Sequence, residues 1–144
     1  MTQPYIMLVD DEESFVDPMK KRLDKRGYKV LAAYSGEEAL KDLATHRNVS
    51  VVILDVKMPG MDGIETLQVV KKRFPLVEVI MLTGHATVES AIEGMKQGAF
   101  DYLMKPCEME VLTAKVQEAI EKKQAHEEKI EKARVEKVLS TRGV

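Results

Sequence analysis

A single cysteine, Cys107, stands in the 144 residues. No intrachain disulfide can form, which excludes a disulfide-stapled secreted scaffold. Long apolar runs are missing too. The N-terminal stretch Tyr5 to Val9 is too short for a signal-peptide core or a membrane span, so no membrane partner and a cytoplasmic location are expected. Neither sign of charge dominates. With 22 basic and 24 acidic residues the net charge is −2, which gives no general electrostatic drive toward nucleic acid or anionic lipid. Direct nucleic-acid binding is therefore not expected of this chain. No repeat recurs at a solenoid period. What remains is 44% apolar residues, enough for a core, and 32% charged residues, enough for well-solvated helices. The length suits one domain.

Along the chain, short apolar runs alternate with longer helical patterns. Tyr5–Val9 reads as a first strand. Phe15, Met19, Leu23 and Arg26 mark a first helix, with Pro18 near its start and Gly27 at its end. Tyr28–Ala33 is a second strand. Ser35 and Glu38 form a capping box for a second helix carrying Leu40 and Leu43. Val51–Leu54 is a third strand, buried on both faces. Asp62 and Glu65 cap a third helix that ends before Pro75. Val77–Leu82 is a fourth strand, Val88, Ile92 and Met95 mark a fourth helix, Phe100–Leu103 is a fifth strand, and Val111 to Ile120 mark a fifth helix. Parallel strands joined by helices need right-handed crossovers. The expected fold is α/β: a (βα)5, flavodoxin-like, doubly wound three-layer α/β/α sandwich whose five-stranded parallel sheet has the order 2-1-3-4-5. From Glu121 to Lys137, 11 of 17 residues are charged. That density reads as a solvated helical extension or linker over residues 123–144, laced by the i,i+4 pairs Glu118–Lys122 and Glu128–Lys132.

The chemistry gathers at strand ends. Asp55 follows four apolar residues, where an ionised carboxylate is costly without compensation. In the expected strand order it lies beside Asp10 and Asp11. Three carboxylates in one crevice repel unless a cation neutralises them, and hard oxygen donors suit Mg2+ or Mn2+. Thr83 ends the fourth strand, and Lys105 follows the fifth. A carboxylate nucleophile, a cation site, a hydroxyl and an ammonium are the parts of phosphoryl transfer to a carboxylate.

Asp10-Asp11, Asp55, Thr83 and Lys105-Pro106, in order within (βα)5, resemble the receiver domain of two-component response regulators. The likeness covers residues 4–122. It implies that Asp55 accepts a phosphoryl group from a phosphohistidine of a sensor histidine kinase or a histidine phosphotransfer protein, in a Mg2+-dependent reaction. The chain would then be a signalling phosphoacceptor rather than an enzyme acting on other substrates. The resemblance further implies that Asp11 binds the metal directly, Asp10 partly through water, and Lys57 through its backbone carbonyl. Thr83 and Lys105 would contact the phosphoryl oxygens. A cis bond is expected before Pro106. Thr83 and Tyr102 would form a switch, Lys57 and His85 would tune the lifetime of the aspartyl phosphate, and output or a homodimer would use the face of the fourth helix, fifth strand and fifth helix. A haloacid-dehalogenase-type phosphatase would need an acid two residues after its nucleophile, where Lys57 stands. A docking module without chemistry would show a gap in the set, and there is none.

Overall fold

The computed structural model describes residues 3–142. Five strands, β1 (Tyr5–Val9), β2 (Lys29–Ala33), β3 (Val49–Leu54), β4 (Glu78–Thr83) and β5 (Asp101–Met104), form one parallel sheet in the order β2-β1-β3-β4-β5. Between and after them run α1 (Glu13–Lys25), α2 (Gly36–Thr45), α3 (Gly63–Arg73), α4 (Val88–Lys96) and α5 (Met109–Arg142). Alternate strand residues divide the core into two layers. Met7, Val9, Val52, Leu54, Val79 and Met81 pack with Leu40, Leu43, Leu67 and Val70 of α2 and α3. Ile6, Leu8, Val51, Ile53, Ile80 and Leu82 pack with α1 and α5 through Val16, Leu23, Leu112 and Val116. Each such side chain contributes about 1.5–3 kcal/mol by leaving water. The central strands are buried on both faces, as their uninterrupted apolar runs require.

Several local expectations change. Strands β2, β4 and β5 start one residue later than their apolar runs suggest, and β3 starts two earlier, at Val49. There β1 and β3 shift register, pairing Tyr5 with Val49 but Ile6 with Val51. Pro18 is not near the helix start: it is the sixth residue of α1. Both Ser14 and Pro18 are exposed, so water can satisfy the carbonyl that proline leaves without a donor. Ser35 caps α2 by accepting the Glu38 N–H, but Glu38 returns its bond to the Tyr34 N–H. The reciprocal box is at α4 instead, between Thr87 and Ser90.

The charged extension is one continuous helix with residues 109–122, and residues 127–141 are exposed. Its pairing differs from the expected one: Lys123 bonds Glu127 at 3.0 Å, and neither Glu118–Lys122 nor Glu128–Lys132 is among the ion pairs of the described residues. Lys122 is drawn elsewhere. Its ammonium lies 3.5 Å from Glu78, a carboxylate 1% exposed at the start of β4, and Lys71 of α3 reaches the same carboxylate from the other side of the sheet at 3.6 Å. Glu78 thus joins α3 to α5 at the sheet edge opposite the strand C-termini. Among the described residues no helix is long and apolar enough to cross a membrane.

Candidate functional site

At the C-terminal edge of the sheet, backbone hydrogen bonds carry the ladder one residue past the strands. The Asp10 N–H donates to the Ala33 carbonyl, the Asp55 N–H to Val9 and the Lys105 N–H to Thr83. Polar side chains that follow three different strands are thereby held in register with one another. Asp10 and Asp55 are each 2% exposed, Thr83 is fully buried, and Asp11 is exposed. One oxygen from each of Asp10, Asp11 and Asp55 lies within 4.8 Å of the others.

Lys105 does not bond Asp55. Its ammonium donates to Asp10 Oδ2 at 2.6 Å, while Asp10 Oδ1 accepts the Glu12 N–H at 2.9 Å. Asp55 Oδ1 accepts the Val56 N–H at 2.8 Å. The Asp55 carboxyl sits above the usual carboxylate range. Burial is the main cause; the Thr83 hydroxyl opposes it, Asp10 adds to it, and Lys105 and the Val56 N–H oppose it. The carboxylate oxygens of Asp10, Asp11 and Asp55 lie close enough together to hold a cation. The donors are all hard oxygens, which suits Mg2+. Asp11, Lys57 and His85 line an open depression of about 380 Å3 beside these groups.

Tight backbone packing holds the loop after Asp55. Gly60 has φ +75, a conformation open to glycine at little cost. Gly63 begins α3, donates its N–H to the Val56 carbonyl at 2.7 Å, and lies against the Asp55 carbonyl so closely that a Cβ would overlap it. The sequence marks Gly63 only as part of the turn after Asp55, not as a point of close backbone approach. The spacing of two glycines around the Asp62 cap was the available signal.

The Thr83 hydroxyl accepts the His85 N–H at 3.0 Å. The Lys105–Pro106 peptide is cis. Tyr102 is half-buried, and its hydroxyl lies 2.5 Å from Ser90 Oγ on α4. Ser90 also takes part in the α4 cap with Thr87, so the tyrosine and the helix start share one hydrogen-bond group. Ser90→Ala is expected to cost about 0.5–1.5 kcal/mol and to free the Tyr102 ring. Thermal melting and the linewidths of the ring resonances check this; unchanged linewidths would show that the hydroxyl pair does not restrain the ring. Cys107 is half-buried, and burial pushes its thiol pKa up, away from the reactive range.

The chain resembles known proteins over this same region. The response regulator receiver domain family matches residues 6–117. An NtrX-like response regulator of Rickettsia felis is 38% identical over 123 residues, covering 84% of this chain and 26% of that protein. The transcriptional regulatory protein ZraR of Salmonella typhimurium is 38% identical over 121 residues, with the same two coverages. The chain thus spans about a quarter of the length of these relatives. Among solved structures, a response regulator receiver domain from Clostridium thermocellum superposes with a TM-score of 0.81 at 37% identity, covering 85% of this chain and 98% of that one. The family match runs from within β1 through β5 and covers the whole acidic edge, and the fold superposes on that of a solved receiver domain, so this chain belongs to the response regulator receiver domains of two-component systems.

Proposed function

We propose that Asp55 is the phosphoacceptor of this receiver, modified by a sensor histidine kinase or a histidine phosphotransfer protein in a Mg2+-dependent reaction. The observation that carries this reading is the buried Asp55, with oxygens of Asp10 and Asp11 within 4.8 Å and a lysine held on Asp10. A carboxylate oxygen of Asp55 attacks phosphorus as the N–P bond of the phosphohistidine breaks, and the departing imidazole takes up a proton. Asp11, the most exposed of the three acids, would hold the metal directly, together with Asp55 and the Lys57 backbone carbonyl. Asp10 already serves Lys105 and the Glu12 N–H, which supports a less direct, water-mediated part. When bound, Mg2+ or Mn2+ supplies positive charge that neutralises the acids and the incoming phosphoryl oxygens. Lys105 shifts from Asp10 to a phosphoryl oxygen, and the Thr83 hydroxyl donates to another. The cis bond before Pro106 belongs to the turn that carries Lys105.

The output reading follows from the same site. Thr83 and Tyr102 act as the switch, and Tyr102 reports to α4, whose one buried residue is Gly94. A helix held by so little buried surface can move at low cost. Val88, Ile92, Met95, Met104 and Val111 are exposed on α4, β5 and α5. This face is proposed to dock an output partner, an output domain or a second copy. Residues 4–122 would form the receiver and residues 123–144 the charged helical extension or linker, of which residues 143–144 lie outside the described residues, in a cytoplasmic protein.

The test is intact mass after incubation with acetyl phosphate. The expected result is one phosphoryl group added with Mg2+, none with EDTA, and none in Asp55→Asn. An adduct that persists in Asp55→Asn refutes the assignment. Sedimentation of the phosphorylated sample should give twice the mass if the face pairs two copies; an unchanged mass removes the homodimer. Lys57 and His85 line the depression beside the acids, and both are proposed to set how fast water removes the phosphoryl group. Decay of the adduct in Lys57→Ala and His85→Ala is expected to change, and equal decay in all three proteins ends that role.

A further inference from the structure

Lys105 has a second contact that its charge partner does not explain. Its ammonium lies 3.7 Å from the centroid of the Phe15 ring. The other three cation–ring contacts among the described residues are 5.2–5.6 Å long. Lys105 is only 16% exposed at its side chain, and a desolvated ammonium gains most from a ring face. Phe15 is itself firmly placed. It lies in the first turn of α1, its N–H bonds the Glu12 carbonyl, and it packs on the layer containing Leu8, Ile53 and Leu82. With Leu8, Val9, Asp10, Ile53, Asp55 and Leu82 it encloses a recess behind the acids with no room for water.

We infer that Phe15 is a positioning residue for Lys105: its ring holds the ammonium in the site while the lysine changes carboxylate and phosphoryl partners. The inference rests on the phosphoacceptor reading. In that reaction Lys105 must release Asp10 Oδ2, and an ammonium tied down by that bond alone would be free to swing into water. The ring face carries no net charge, so its hold does not depend on which oxygens are occupied.

Phe15→Leu keeps an apolar side chain in the recess and removes the ring, whereas Phe15→Tyr keeps the ring. With acetyl phosphate and Mg2+, adduct formation in Phe15→Leu should slow by about 3- to 10-fold and recover in Phe15→Tyr. Adding Phe15→Leu to Lys105→Ala should cause no further loss, because the two residues act as one unit. A direct readout needs no phosphodonor and no metal: the Lys105 Cε protons should show an upfield ring-current shift that is lost in Phe15→Leu and kept in Phe15→Tyr. An unchanged shift, an unchanged rate, or an equal slowing in the Lys105→Ala background overturns the inference. A wild-type protein that takes up no phosphoryl group overturns the phosphoacceptor reading instead, and the proton shift still decides whether the ring seats the ammonium.

Discussion

Asp55→Asn is expected to abolish the phosphoryl adduct and, in metal-free protein, to raise the melting temperature. Loss of the adduct follows from chemistry, since an amide oxygen is a poor nucleophile and gives no stable acyl phosphate. The gain in stability follows from electrostatics. Burial first, and Asp10 after it, push the Asp55 pKa above its ordinary value of 3.8, and Thr83, Lys105 and the Val56 N–H offset this only in part. An acid whose folded-state pKa is raised stabilises the fold below its unfolded pKa. That stability is lost as pH rises through the folded pKa. At neutral pH the raised pKa of Asp55 therefore works against folding, and a neutral amide of the same shape does not. Functional sites often hold such unfavourable groups, and relieving one yields on the order of 1 kcal/mol, or roughly 3–5 °C for a chain of this size. Mg2+ should raise the melting temperature of the wild type more than that of Asp55→Asn. Thermal melts at neutral pH with EDTA and with Mg2+ check both statements. An amide variant less stable than wild type in EDTA would mean that the carboxylate is fully compensated without metal.

Gly63→Ala is expected to damage both the fold and the site. A Cβ at Gly63 would overlap the Asp55 carbonyl oxygen and crowd the Val56 Cα. These are backbone atoms, so no side chain can rotate away. Either α3 moves off the sheet, breaking the 2.7 Å bond from the Gly63 N–H to the Val56 carbonyl, or the Asp55 backbone is displaced and its carboxylate with it. Overpacking of this kind costs about 2–4 kcal/mol, on the order of 10 °C here. A shift of even 1 Å in the nucleophile should also reduce acceptance by about 100-fold. Gly60→Ala is the informative control. It strains a positive φ for about 1 kcal/mol, but the backbone of Asp55 is not in its way. Comparing melting temperature and adduct formation in the two variants separates turn strain from close approach. Equal effects would show that Gly63 matters only as a turn residue.

The division between what was legible and what was not follows the range of the forces. Alternating apolar runs and helical spacing express local geometry, so the five strands, five helices and their order could be read from the chain. Polar residues at or just after the ends of strands 1, 3, 4 and 5 also had to gather at one edge, because parallel strands place all their C-termini together. Asp10, Asp11, Asp55, Thr83 and Lys105 were found that way. Pro18 was misplaced because a helix tolerates a lost donor wherever the freed carbonyl meets water, and exposure is not written in the local pattern. Lys122 was assigned to Glu118 by spacing, but Glu78, buried and short of partners, draws it away.

By itself the sequence determined the fold, the sheet edge that carries the acids, and the residue types available for chemistry. Only the tertiary structure decided which group each of them takes as a partner. Lys105 meets Asp10, 95 residues away, and rests on Phe15. Tyr102 of β5 meets Ser90 of α4, and Gly63 makes room for the Asp55 backbone. Local spacing encodes periodicity, whereas these pairings arise from side-chain reach, burial and the need of each buried charge for compensation, which exist only once the strands lie side by side.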